Sequence, residues 1–368
     1  MNFLVPIFIF TLILFSIFTY SFIDINLSYL KILYTGLYLN NRLPLTVVYT
    51  ALIFLLFGCY YFLSANLDHL KINLNKLIAF IVLAAIFAYP AVLTFDIFNY
   101  ITTAKVTFFY QENPYIIYPA ELLNDPYLAF TRATNKTALY GPFWILLTGV
   151  PHFAGFGNFI LTLFSFKVFI ALFYIVTVYL IRKLDKKAAF FFVLNPLVII
   201  ESLVSSHNDI VMIFFALLSL QFFLGKRYVL SFLSILASIL IKFASIFLLP
   251  VYLGMAKDVI IGQKINREKL FRTCSILMFM IFILSPFREE LYPWYAIWFI
   301  TFTSLLHKNK FLQALVLVFS LGLMLRYIPY MATGDYFGNT PLIRNILMVI
   351  PVIAFLAFTW LKKYFPSR

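Results

Sequence analysis

Residues 77–100 read LIAFIVLAAIFAYPAVLTFDIFNY: an apolar run over 77–93, then at once Asp96 and Asn99. The run has membrane-helix composition, so the acid that follows sits near a membrane edge, where an unpaired carboxylate is expensive. From Thr94 to Gly141 the chain stays polar, through Glu112-Asn113-Pro114-Tyr115, Asn124-Asp125-Pro126-Tyr127 and Tyr140-Gly141-Pro142. Four of the fourteen carboxylates lie here, at 96, 112, 121 and 125, whereas the other loops are short and mostly basic.

The rest of the chain agrees with that reading. It is 63% hydrophobic and 11% charged, far from a soluble domain. Its 46 Phe and 24 Tyr suit lipid-facing helices with interfacial belts. The apolar runs are continuous and lack period-two alternation, which favours helices over a membrane β-barrel. The expected class is all-α, a polytopic transmembrane bundle of about eleven to thirteen helical segments in one domain spanning 1–368. Full-length spans fit 2–23, 45–65, 77–93, 158–181, 310–330 and 342–361. Shorter apolar pieces cover 142–157, 188–204, 210–224, 228–241, 243–255, 273–285 and 294–306. Residues 3–22 read as a retained anchor, since no charged region precedes them and no small-residue cleavage site follows before Asp24.

The net charge of +14 would suggest nucleic acid in a soluble protein, but here the basic residues cluster in short turns, as the positive-inside rule expects. No nucleic-acid motif is present. Putting 66–76, with Lys71 and Lys76, in the cytoplasm places 94–141 outside, and Arg182-Lys183 with Lys186-Lys187, Lys226-Arg227, Lys257–Arg272 and Lys362-Lys363 read as further cytoplasmic turns. Residues 228–255 then form a hairpin turning near Lys242, which brings Lys242 to the same external face as Ser205–Asp209 and Arg288–Tyr295. Getting from Gly141 outside to Arg182 inside takes one crossing, so 142–157, interrupted by Gly149 and Pro151, is expected to be a re-entrant or interfacial helix.

Asp96 has two readings: a cap on the helix that follows, or a general base held between burial and nearby cations. Asn99, Tyr100, Lys105, Glu112 and Asn113 follow closely and favour a site. Asn113-Pro114-Tyr115 and Asp125-Pro126-Tyr127 are turn chemistry first, with the tyrosines also able to stack on a sugar face. Tyr140-Gly141-Pro142 starts a helix. His207-Asn208-Asp209 can cap a helix at Ile210, and His207 can also meet a phosphate at that helix terminus. Lys242, flanked by Leu240-Ile241 and Phe243-Ala244, either snorkels or binds phosphate. Arg288 is a candidate anion ligand. Trp294 reads first as an interfacial anchor, and with Tyr295 also as a candidate substrate contact. Cys59 and Cys274 lie in apolar segments and read as inert thiols. Glycine-rich phosphate loops, Ser-His-Asp signatures and paired-His metal spacings are absent, so neither a nucleotide nor a metal cofactor is expected.

Taken in order, Asp96 after a membrane helix, Asn99-Tyr100, Asn113-Pro114-Tyr115, Asp125-Pro126 and Tyr140-Gly141-Pro142 resemble the first external loop of the GT-C glycosyltransferases. The closer similarity is to polyprenyl-phosphate-mannose-dependent mannosyltransferases. Asn195-Pro196 with Glu201 and His207-Asn208-Asp209, the Lys242 hairpin ending at Pro250, and Pro293-Trp294-Tyr295 resemble their later blocks, so the likeness covers roughly residues 80–300. The resemblance implies an inverting transfer of a sugar, with mannose expected, from a polyprenyl-phosphate donor to a hydroxyl of a glycan, lipid or protein, on the external side of the cell membrane. It implies Asp96 as general base, and Lys242, Arg288 and His207 as groups that neutralise the departing phosphate. Phe95 stands where relatives often carry Ser or a second acid, and the missing Asp-X-Asp pair points to catalysis without a metal. A transporter or lipid flippase is the alternative. It would favour inverted repeats and midplane charges, and no repeat is visible.

Overall fold

The computed structural model of the protein describes residues 3–22, 42–70, 72–122, 124–287 and 290–364. Among them there is no strand, and the chain is an all-α polytopic bundle. Seven helices are long and apolar enough to cross a membrane, and a bent pair, Lys186–Val193 with Pro196–Val204, broken by 69°, is long and apolar enough when its two parts are taken together. This is an integral, multi-pass membrane protein.

The helices run back and forth between two ends. α1 (Leu4–Thr19), α2 (Arg42–Ala65) and α3 (Leu74–Ala85) come first. The expected helix over 77–93 stops at Ala85, and the chain leaves through a tight turn, Pro90–Val92. Proline disfavours helical geometry in the residue before it, and Tyr89 is extended (φ −76°, ψ 125°). α4 (Asp96–Phe108) and α5 (Pro142–Ala154) then build the loop region, before α6 (Phe159–Leu184).

α5 bears on the crossing count. Its N-terminal Gly141 donates to Ile241 O (3.2 Å), Trp144 meets the Tyr100 ring edge-on at 5.1 Å, and its last turn lays Phe153 against Phe108, the end of α4. Just past it, Gly157 O accepts from Tyr127 Oη (2.9 Å). Both ends of α5 thus touch the same loop elements, and a 13-residue helix is only about 20 Å long against about 30 Å of hydrocarbon. α5 stays at the loop end, and α6 makes the crossing.

At the opposite end, Arg182 meets Asn75 (2.9 Å), Lys187 meets Asp68 (2.6 Å) and His307 meets Asp185 (3.0 Å). From there α7 (Lys186–Val193) and α8 (Pro196–Ile199), continued by a π-helical turn over Ile200–Val204, return to the loop end. Every residue from Leu194 to Met212 is buried, so these short pieces are shielded by protein and need not match the bilayer. Lys167 of α6, fully buried, donates to Leu203 O (2.8 Å) and Val204 O (2.7 Å), carbonyls that the broken helix leaves open.

α9 (Asp209–Leu224) and α10 (Tyr228–Ile241) form an antiparallel pair, with Ser219 bonded to Ser231 O (2.6 Å) and Ser238 to Met212 O (2.8 Å). The expected hairpin turn is present. Lys242 is extended (φ −154°, ψ 122°) and breaks the helix, and the chain turns back through Phe243–Leu248 into α11 (Leu249–Ile260). The span over Phe243–Ile260 runs past the expected 243–255, carrying Lys257 and Asp258 in its last turns. α12 (Arg267–Leu284) likewise starts before the expected 273, because Asn266 caps it through Lys269 N–H (3.0 Å). α13 (Ile297–Ser304), buried throughout, α14 (Lys310–Leu325), α15 (Ile328–Thr333) and α16 (Thr340–Tyr364) complete the bundle.

Candidate functional site

The loop end holds a cavity of about 1030 Å³, with Asp96, Asn99, Tyr140, Lys242, Trp294 and Tyr295 in its wall. That is at the upper end of the usual size for small-molecule sites. Asp96 is the first helical residue of α4, and the capping position is Phe95, whose side chain makes no cap bond. Among the described residues the Asp96 carboxylate takes no backbone N–H, so the capping role open to it in the sequence is not used. It faces His207 instead, with Oδ2 3.4 Å from Nδ1 and 28% of the Asp96 side chain exposed.

His207 is fully buried and does not line the cavity; it lies behind Asp96. Its ring stacks on Trp294 (centroids 4.0 Å apart, 13° between planes), and Trp294 stacks in turn on Tyr292 (4.4 Å). The other ring nitrogen is 3.2 Å from Glu201 Oε2. Neither contact is aligned as a hydrogen bond, so both are close charge contacts between one imidazole and two carboxylates. Burial alone would lower the His207 pKa, but Asp96 and Glu201 together push it up to about 9. Two carboxylates flanking one imidazole favour its protonated form.

Lys242 is already paired. Its Nζ donates to both oxygens of the fully buried Asp209 (2.8 and 2.9 Å), which also accepts from Trp298 Nε1, and it lies 4.4 Å from the centre of the Tyr295 ring. Asp209 thus fixes the hairpin rather than capping α9, and Asn208 makes no side-chain cap bond either. Asn208 serves Tyr100, whose hydroxyl donates to Asn208 Oδ1 and accepts its N–H, both at 3.3 Å. Asn99 Oδ1 accepts from Ala133 N–H (3.3 Å) and so ties α4 to the far side of the loop.

The remaining loop residues hold the loop together away from the cavity wall. Lys105 pairs with Asp125 (2.9 Å) and sits 3.7 Å above the Tyr127 ring, while Tyr110 donates to Asp125 (2.8 Å). Asp125 also caps the turn at Pro126–Ala129 through Tyr127 N–H. Burial raises the Asp125 carboxyl, yet these bonds hold it below its usual value. Asn113 makes the turn its Pro suggested, accepting from Tyr115 N–H (3.0 Å), and Tyr115 Oη closes the loop on Tyr140 O (2.8 Å). Glu112 is exposed in the turn after α4. Arg288 lies outside the described residues.

Several wall residues were not singled out in the sequence. Arg132 stacks over the Phe95 ring (4.6 Å), and Lys136 is nearby; among the described residues neither has a carboxylate within ion-pair distance. Arg326 and Arg344 share Glu290, Arg326 at 2.7 Å. Tyr327 lines the cavity and donates to Glu201 Oε1 (2.9 Å). A signal existed: an Arg where the apolar run 310–325 ends, at the same end as the polar loop. Among the described residues no group of three His, Cys, Asp or Glu is placed to hold a metal ion.

The sequence profile of a family described as alpha-(1->6)-mannopyranosyltransferase, N-terminal domain, matches residues 12–257, two thirds of the chain. The chain belongs to that family. It is a mannosyltransferase, and so a glycosyltransferase, as its resemblance to the GT-C enzymes implied. No curated protein and no solved structure matches it. The matched residues of this mannosyltransferase include Asp96, Glu201, His207, Asp209 and Lys242, whereas Trp294, Arg326 and Arg344 come from the part beyond.

Proposed function

We propose that this mannosyltransferase takes mannose from a polyprenyl-phosphate donor and passes it, in a single inverting displacement, to an acceptor hydroxyl, with Asp96 as general base. The observation that carries this is the state of the acids in the cavity wall. The described wall has two, Asp96 and Glu290, and Glu290 is held by two arginines. A double displacement needs a second available carboxylate about 5 Å from the first, whereas a single displacement needs one base. Asp96 takes the hydroxyl proton as that oxygen attacks the anomeric carbon, and the phosphate leaves with the electron pair of the broken bond. Arg132 and Lys136 are the wall cations without a carboxylate partner among the described residues, so they are assigned to the developing phosphate charge. Lys242, bound to Asp209, takes a secondary part. Tyr140, Trp294 and Tyr295 are the wall rings a sugar would meet, the latter two at their edges, since their faces are stacked on other groups.

A lipid-linked donor explains why an active cavity opens at one end of a membrane bundle, and it brings its own activation. The Arg182–Lys187 cluster at the opposite end supports, by the positive-inside rule, a cavity on the outer side of the cell membrane. The acceptor class, whether glycan, lipid or protein, is left open beyond its hydroxyl.

The test is Asp96→Asn in purified enzyme supplied with polyprenyl-phosphate-mannose, with product stereochemistry read by NMR. Transfer should fall by about 10²–10⁴-fold with the fold intact, and the wild-type product should be inverted relative to the donor. Near-wild-type transfer by the variant, or retention of configuration, refutes the base assignment.

A further inference from the structure

From Asp96 in the cavity wall runs a line of polar groups that the transfer itself does not use: His207, Glu201 and the Tyr327 hydroxyl. We propose that Glu201 and His207 are positioning residues for Asp96, a fully buried carboxylate–imidazole pair that aims the Asp96 carboxylate into the cavity. This rests on Asp96 being the base.

The geometry explains why an aim is needed. A carboxylate at the start of a helix has exposed backbone N–H groups beside it and would ordinarily turn to them. Asp96 does not, because His207 holds it from behind at 3.4 Å. The His207 ring cannot swing away, since Trp294 covers one face and the residue has no exposed surface. Glu201 fixes the other edge of the ring, and Glu201 is itself fixed by Tyr327 Oη at 2.9 Å. The π-helical turn over Ile200–Val204 makes this register possible: Glu201 O accepts from His207 N–H (2.9 Å) while its side chain meets the same residue's ring. Such one-residue bulges in helices recur at functional sites.

Charge gives the same reading. Glu201 is fully buried, and an unpaired carboxylate there would be strongly destabilising. The imidazolium offsets one negative charge of the two acids and leaves the other on the side that faces substrate. The groups around it are Asp96 and Tyr100 from α4, Glu201 from the π turn, Asn208 and the Lys242-bound Asp209 beside it in the chain, Trp294, and Tyr327 through Glu201. His207 is a group whose pKa is raised on folding, from 6.5 to about 9. Its tie to Asp96 is therefore complete below the ordinary imidazole value and is lost as pH rises through about 9.

The experiment measures kcat and KM against pH for wild type, Glu201→Gln, His207→Gln and Asp96→Asn, in liposomes with polyprenyl-phosphate-mannose. Wild-type kcat should fall on an alkaline limb near pH 9. Glu201→Gln keeps the shape and the Tyr327 bond but removes a charge, and should move that limb down by about one unit or more. His207→Gln should lower kcat on the order of a hundredfold, the effect of about 1 Å of misplacement, with donor KM unchanged. A wild-type profile flat through pH 10, about one unit past the imidazole, overturns the proposal without any variant. So does a Glu201→Gln profile superimposed on wild type while Asp96→Asn is inactive, an outcome that leaves the base assignment standing. An active Asp96→Asn overturns both.

Discussion

Removing either partner of the Lys242–Asp209 pair should have very unequal effects. Asp209 has no exposed surface, whereas 21% of the Lys242 side chain is exposed, open to the cavity and lying over Tyr295 at 4.4 Å. Lys242→Met therefore leaves a carboxylate in the interior with only Trp298 Nε1 to meet it, a loss of about 3–5 kcal/mol. Asp209→Asn leaves an ammonium that still has an aromatic face and the cavity, and its amide oxygen can still accept from Trp298, so the loss is about 1–2 kcal/mol. The double variant buries no charge and should be more stable than Lys242→Met alone, with a coupling of about 2 kcal/mol or more. The assay is thermal unfolding of the purified protein in one detergent at one scan rate, comparing apparent Tm. Equal effects of the two single variants, adding simply in the double, would refute the argument. Donor KM in the double variant separates the two parts of Lys242: unchanged if the lysine is structural, raised about tenfold or more if it also meets phosphate.

Gly141→Ala would place a Cβ 2.1 Å from Leu240 O, backbone that cannot rotate away, so it should lower stability by about 1–3 kcal/mol and reduce kcat as the loop lifts off the hairpin. Gly58→Ala, with open space around it, is the control and should be neutral or mildly stabilising in the same melts. Arg132→Gln and Lys136→Gln should each weaken transfer by roughly tenfold or more in kcat/KM, through lost charge-assisted contacts to phosphate. Unchanged kinetics in both would move the phosphate to the Arg326 side. Because Asp125 is held below its usual 3.8, its tie to Lys105 is present above pH about 4 and lost as pH falls further. Protease nicking of residues 109–140 should rise below that pH, and Asp125→Asn should show the same nicking at pH 7.

The elements were legible because lipid leaves little choice: apolar runs become helices, and Lys242, an expensive residue in such a run, marked the hairpin turn. Lys167 is the same signal in the middle of α6, and it serves the open carbonyls of the broken helix. Asp96, Asn99, Tyr140, Trp294 and Tyr295 reach the cavity wall, but Lys105, Asp125 and Asn113 do not. The difference lies in tertiary pairing, since a polar loop must bind its own acids and amides as well as a ligand, and residue type alone does not separate the two tasks. Arg132 and Lys136 looked like ordinary loop charges, because the absence of a partner is visible only in three dimensions. Glu201 looked like part of a motif, and only the π turn shows that it meets the same His207 by side chain and by backbone.

The Gly141 contact has a consequence for how such enzymes can diversify. The polar segment is anchored at both ends, at Phe98 stacked on Phe159 and at Gly141 seated on Ile241 O. A tether fixed at both ends can change length in the middle at small thermodynamic cost, about 0.6 kcal/mol per doubling. Insertions between Ala120, bonded to Thr134 O, and Asp125, bonded to Lys105, would thus change the outer loop while leaving the cavity wall and the base where they stand. The outer loop and the bond-making chemistry occupy one segment, yet they can be inherited and altered separately.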